Sequence, residues 1–267
     1  MTSQYLLNHF FTHKDFLPPA SELAGTLFTP LHLVVSSLCV LLVVGLAMRW
    51  GKLTEQQLKR RYAILWVLLV ALEVCKILWE TLCGQTIRFE WGGILPLYPC
   101  SVFMYAMPLV IWGKGTVREA GCGYVCSLGL LGGLINFVYP ANVLSNYSCL
   151  SFAGFHTLFY HGSLVLCAAS MLLSGYHRWT NITRWQQLLI PAIPALAVSV
   201  VANLVNFSPI GSDYMFFKLN SFFFAPLGAA TPDWLSVIFV YFVYLLIHAL
   251  PYLPSYFANR KRLKQSA

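Results

Sequence analysis

The sequence predicts an all-α integral membrane protein, a polytopic bundle of seven transmembrane helices with the N-terminus outside and the C-terminus in the cytoplasm. Three observations lead there. Of 267 residues, 58% are hydrophobic and only 10% charged, whereas soluble domains carry about 25% charged residues. Long apolar runs recur at close to the ~20 residues a helix needs to cross the hydrocarbon core. The basic residues also fall overwhelmingly on one side of those runs, as cytoplasmic loops require.

The elements follow in order. Residues 1–28 are mixed and polar, with Lys14, Asp15 and Glu22, and read as an extracytoplasmic segment rather than a signal peptide. The membrane domain occupies 29–256, with spans expected at 29–48, 61–83, 94–112, 119–139, 152–174, 187–207 and 233–256. Pro96, Pro99 and Pro108 interrupt the third, and Pro191 and Pro194 the sixth; a bundle tolerates these because neighbouring groups satisfy the freed carbonyls. The connection 208–232, with Phe222, Phe223 and Phe224, reads as an outer loop at the interface. Residues 257–267 form a basic cytoplasmic tail. No convincing internal repeat appears, which disfavours the inverted-repeat transporters.

Orientation comes from counting bases. The loops after spans one, three and five, with the tail, hold Arg49, Lys52, Lys59, Arg60, Arg61, Lys114, Arg118, Arg178, Arg184, Arg260, Lys261, Arg262 and Lys264, against Lys14, Arg88 and Lys218 opposite. That asymmetry accounts for the formal net charge of +8 and leaves no reason to invoke nucleic acid as a partner. Membrane lipids are the expected partners. Most of the eight cysteines lie in apolar runs, so no disulfide framework is expected, although Cys83 and Cys149 both fall nearer the outer face.

Charges inside a span cost roughly 2.5–3.5 kcal/mol each and need a reason. Glu73, Lys76 and Glu80 are spaced three and four apart in span two, hence on one helix face. They form either a self-satisfied stripe or the wall of a polar cavity. At 1.5 Å rise per residue, Lys76 lies about 10 Å, Cys100 about 9 Å and His161 about 14 Å below the outer ends of their spans. Asn136 in span four and Asn203 and Asn206 in span six fall in the same outer half. Groups from five spans converging on one layer suggest a site.

A membrane cysteine is usually just a small hydrophobe. Cys100 differs in following Leu95-Pro96-Leu97-Tyr98-Pro99 and in having histidines near its depth, because a base that removes the thiol proton makes a strong nucleophile. His161 is one candidate and His156 another; five residues apart, they face different ways, and His156 suits the interface. His32 is placed to line the same cavity. His248 falls in the inner half, and His9, His13 and His177 read as solvated. Cys122 and Cys126 continue into Gly129 and Gly133, a small-residue packing stripe rather than a metal site. No metal and no cofactor are expected.

The order of Leu95-Pro96-Leu97-Tyr98-Pro99-Cys100, Gly129-Leu130-Leu131-Gly132-Gly133, Tyr160-His161-Gly162, Asn206 ahead of Gly211-Ser212-Asp213-Tyr214-Met215-Phe216, and Leu250-Pro251-Tyr252-Leu253-Pro254 resembles the YwaF-like family of bacterial integral membrane proteins. That family is similar to the eukaryotic transmembrane protein 164 family of phospholipid acyltransferases. The resemblance implies a cysteine nucleophile at Cys100 and a histidine at His161, in a bacterial plasma membrane. Where the bacterial pattern has a histidine two residues before the cysteine, this chain has Tyr98, which is no base near neutral pH. The expected function is therefore lipid acyl transfer or hydrolysis in the outer half of the membrane. Cys100 and His161 would be catalytic, Asn203 or Asn206 an oxyanion donor, and Tyr98, Asn136, Glu73, Lys76 and Glu80 would surround the substrate. The alternative is a non-catalytic lipid- or solute-binding protein or transporter built on the Glu73–Lys76–Glu80 stripe.

Overall fold

The computed structural model describes residues 9–87, 94–179, 182–219 and 225–265. Arg88 and Phe222–Phe224, which entered the sequence reading, lie outside them. The described residues form helices and turns without a strand. Six helices are long and apolar enough to cross a membrane. They are α1 (Pro30–Trp50), α2 (Glu55–Cys83), α4 (Gly115–Val138), α5 (Phe152–Ser174), α6 (Trp185–Asn206) and α7 (Asp233–Arg262). Between α2 and α4 lies the shorter apolar helix α3, Val102–Trp112.

The third expected span is thus regular over only part of its length. Pro96 and Pro99 withhold two amide donors and fix their own φ, so Leu95–Ser101 runs as turns before helix begins at Val102. The chain does not waste the freed groups. Leu95 N–H donates to the Tyr214 hydroxyl at 3.0 Å, and the Pro99 carbonyl accepts from the buried Tyr124 hydroxyl. Helix starts elsewhere follow ordinary capping. Thr54 caps α2 in a reciprocal box with Gln57, and Ser151 caps α5, each satisfying amides that have no partner within the helix.

α5 is the central helix, with α1, α2 and α4 packed around it. It is buried along most of its length, whereas α1 and α2 present Leu38, Leu41, Val67 and Leu78 outward, the inside-out exposure that a lipid solvent permits. Glycines set the closest approaches. A Cβ on Gly121 would stand 2.8 Å from the Ala106 carbonyl oxygen of α3, and one on Gly133 would stand 3.0 Å from the His161 carbonyl oxygen of α5. α4 also contains a π-helical turn, Val125–Gly129, a single wide turn inside α-helix. Its Ser127 hydroxyl donates to the Gly123 carbonyl at 2.6 Å and receives His248 Nδ1 at 2.6 Å.

The N-terminal segment is not a solvated tail. Trp79 Nε1–H donates to the Phe11 carbonyl at 2.7 Å, and Phe152 N–H to the Phe10 carbonyl at 2.8 Å. His13, expected in water, is 5% exposed beneath these contacts. The Gln85 amide, 2.9 Å from Asp15 Oδ2, holds that carboxyl below its usual range. The segment therefore straps the C-terminal end of α2 to the N-terminal end of α5.

Candidate functional site

The polar layer is assembled around Glu73, 4% exposed on α2. Its Oε1 accepts from Lys76 Nζ at 2.5 Å, one helical turn away, and its Oε2 lies 2.9 Å from His156 Nε2 on α5. His156, expected at the interface, is buried instead, because an acid on the neighbouring helix receives its ring. The Glu73–Lys76–Glu80 stripe divides. Glu80 stands one turn nearer the C-terminal end of α2 and pairs with His13 of the N-terminal strap at 3.0 Å, away from the other two.

Five residues after His156 and on another face of α5, His161 Nδ1 donates to the Thr157 carbonyl at 2.8 Å. That bond fixes the tautomer and leaves the Nε2 lone pair available. The Thr157 hydroxyl, 3.3 Å from the same nitrogen, donates to Asn136 Oδ1 at 3.4 Å, and Asn136 Nδ2 reaches Asn142 Oδ1 at 3.5 Å. Asn136 therefore anchors the α4 side of the histidine's surroundings.

Cys100 sits at the end of the proline turn, its sulfur 3.5 Å from where a Cβ would stand on Gly132. Gly133, the next residue, backs onto the His161 carbonyl, so cysteine and histidine flank the same two-glycine step of α4. Between them stands Tyr160, whose hydroxyl donates to the Cys100 carbonyl at 3.4 Å and whose ring lies 5.8 Å from that of His156 and 5.7 Å from that of His161. Among the described residues no hydrogen bond joins Cys100 to His161.

The remaining predicted residues take supporting positions. Tyr98 packs on Tyr214 and Phe216, with ring centroids 5.1 and 5.9 Å apart. Asn206 uses its Nδ2 on the Tyr214 carbonyl at 2.8 Å and its Oδ1 on the Tyr214 amide at 2.7 Å. Both amide atoms are engaged, and Tyr214 in turn holds Leu95. Asn203 donates to the Tyr241 hydroxyl at 3.1 Å, and among the described residues its buried Oδ1 has no hydrogen-bond partner. Met215 and Phe216 adopt left-handed φ of 56° and 58°, strain that bulky residues keep only where surroundings over-determine it. Here the Tyr244 hydroxyl grips the Met215 carbonyl at 2.7 Å. His32 serves a helix start, accepting the Phe28 amide at 3.0 Å.

Thr157 and Tyr124 escaped the sequence reading, and Tyr160 and Tyr214 entered it only within motifs, with no role assigned. Only Tyr160 carried a usable signal, lying four residues from His156 on one helix face. Among the described residues there is no group of three or more His, Cys, Asp or Glu able to hold a metal, and all eight cysteines are free, Cys83 exposed and Cys149 buried.

The model of the TMEM164 family matches residues 27–258, the whole bundle apart from the strap and the end of the tail. The chain belongs to the TMEM164 family. With six membrane-length helices, this member is an integral membrane protein. No curated protein and no solved structure matches the chain.

Proposed function

We propose that this TMEM164-family protein is a membrane-embedded enzyme of lipid acyl esters, with Cys100 as nucleophile and His161 as base. The observation that supports it best is the tautomer of His161: with Nδ1–H committed to Thr157, the bare Nε2 is the nitrogen a general base needs. Cys100 lies across the same glycine pair, and catalysis requires the two side chains to meet when an ester enters; catalytic hydrogen bonds are often long before substrate binds.

In the first half-reaction His161 Nε2 takes the thiol proton and the sulfur attacks the ester carbonyl carbon. The tetrahedral oxyanion collapses, the C–O bond breaks, and the lysolipid oxygen leaves with the proton from His161. In the second, His161 deprotonates a lysolipid hydroxyl or water, which attacks the thioester and regenerates the thiol. Either asparagine would serve as oxyanion donor through its second Nδ2 hydrogen, since Asn203 already spends one on the Tyr241 hydroxyl and Asn206 one on the Tyr214 carbonyl, and a lone amide donor of this kind is worth about 10²–10³ in rate. Tyr98, Asn136, Glu73 and Lys76 border the substrate's path. Glu80 acts one step out, holding the strap. The reading includes seven crossings, N-out and C-in, in a bacterial plasma membrane.

A second reading, a non-catalytic lipid or solute binder or transporter, draws on the buried Glu73–Lys76–His156 cluster, which can hold a ligand without any thiol. One experiment separates them. An acyl-chain electrophile added to membranes should label Cys100 and leave the buried Cys122 and Cys126 untouched. His161→Ala should slow that labelling about a hundredfold, the size of a general-base contribution. Equal rates with and without His161 would reject the catalytic pair in favour of the binder.

A further inference from the structure

A cavity of about 360 Å³ lies at the opposite, base-rich end of the bundle. It exists because three helices lose regularity at one level. α5 ends on Gly175 in the left-handed region (φ 71°), α6 begins as a 3-10 helix around Pro191, and α7 passes through a 3-10 turn at Leu250–Tyr252. Arg178 lines the gap, its guanidinium folded back to 3.1 Å from the Cβ position of Gly175. Among the described residues that guanidinium makes no hydrogen bond and no ion pair. His177, expected in solvent, is 3% exposed. Its Nε2 is 2.8 Å from the Tyr252 hydroxyl, while its Nδ1 faces Glu119 at 3.4 Å without an aligned hydrogen bond. Gln187 spends its carbonyl on the Thr183 and Arg184 amides, both at 2.9 Å, which leaves its NH₂ donors available.

We propose that this cavity binds a singly charged phosphate ester, the phosphodiester of a membrane lipid or its soluble counterpart. Arg178 supplies a planar fork of donors suited to phosphate, and Gln187 adds a neutral donor. Glu119 across the cavity opposes a polyphosphate while leaving room for a single charge. Ile190 and Pro191 give the wall an apolar side, so the ligand has an apolar portion beside its charge, and the volume falls within the usual range for small-molecule sites. The site is separate from Cys100 and His161 and does not depend on their chemistry.

The test uses purified full-length protein in detergent at about 0.15 M salt, where diffuse charge effects are screened. The probes are dihexanoyl phosphatidylglycerol, the soluble diester glycerophosphoglycerol and inorganic phosphate, read by native mass spectrometry and thermal shift. Dihexanoyl phosphatidylglycerol should bind to wild type and to Cys100→Ala alike. Arg178→Gln should weaken it about tenfold or more, as expected for loss of a charge-assisted donor, while Lys114→Gln, an equal charge change at the same end, should not. Binding of the lipid alone identifies a lipid site; comparable binding of glycerophosphoglycerol identifies a soluble diester as its source. Failure of all three probes to bind, or equal effects of Arg178→Gln and Lys114→Gln, would overturn the proposal.

Discussion

Both carboxylate oxygens of Glu73 are engaged by donors, Lys76 on its own helix and His156 on α5, so this one side chain ties two helices at membrane depth. Removing one partner of a buried ionic group costs more than never having had the pair, because the survivor is left desolvated and unmatched. Glu73→Gln should therefore lower stability by about 3 kcal/mol, and His156→Gln by less, since Lys76 still faces the carboxylate. Lys52→Met, on the loop between α1 and α2, should stay within about 0.5 kcal/mol. Thermal unfolding in detergent measures all three, and a neutral Glu73→Gln would mean that the cluster does not brace the bundle. The sequence could announce Glu73 and Lys76, because intramembrane charge is conspicuous in composition. It could not announce His156 as their partner, since pairing across α2 and α5 depends on helix rotation, and no spacing encodes that. The strap raises the same difficulty: His13 looks solvated until Glu80 is seen to receive it.

At the scale of elements, the glycine step in α4 separates packing from chemistry. A Cβ at Gly133 would meet Val165 Cγ2 at 2.7 Å and the His161 backbone oxygen at 3.0 Å, whereas one at Gly132 would meet only the Cys100 sulfur, at 3.5 Å. Gly133→Ala must push α4 from α5 and should cost about 1–3 kcal/mol, the usual toll of overpacking. Gly132→Ala should leave stability near wild type and slow the reaction of Cys100 with an acyl-chain electrophile, because the new methyl stands against the sulfur. Gly45→Ala on α1, where nothing lies within 4 Å, is the control and should change neither. Paired melting curves and labelling rates decide it; an unaltered Cys100 rate in Gly132→Ala would show that the sulfur is approached from another side. The long spans were legible because ~20-residue apolar runs have few other uses. The π-helical turn and the strained Tyr214–Phe216 segment were not, since they arise from tertiary contacts.

At the scale of the whole molecule, the open matter is how the chain crosses between α2 and α4. α3 alone, 11 residues, reaches about 17 Å at 1.5 Å per residue, short of the ~30 Å hydrocarbon core. The turns of Leu95–Ser101 precede it, and seven non-helical residues extend at most about 23 Å. Irregular backbone is tolerated at membrane depth when protein groups satisfy it, and the tyrosine contacts to Leu95 and Pro99 hold this largely half-buried stretch against the bundle. A broken third crossing is therefore long enough for the proposed seven-span reading, which would place the termini on opposite sides, in keeping with the excess of bases on one face. In a background lacking the exposed Cys75 and Cys83, Glu22→Cys should react with a membrane-impermeant maleimide applied to intact cells. Lys261→Cys should react only after permeabilisation. Labelling of both positions from outside, or of neither, would mean an even number of crossings. α3 and the proline turn would then enter and leave by one face, and Cys100 would lie in a re-entrant loop rather than within a span.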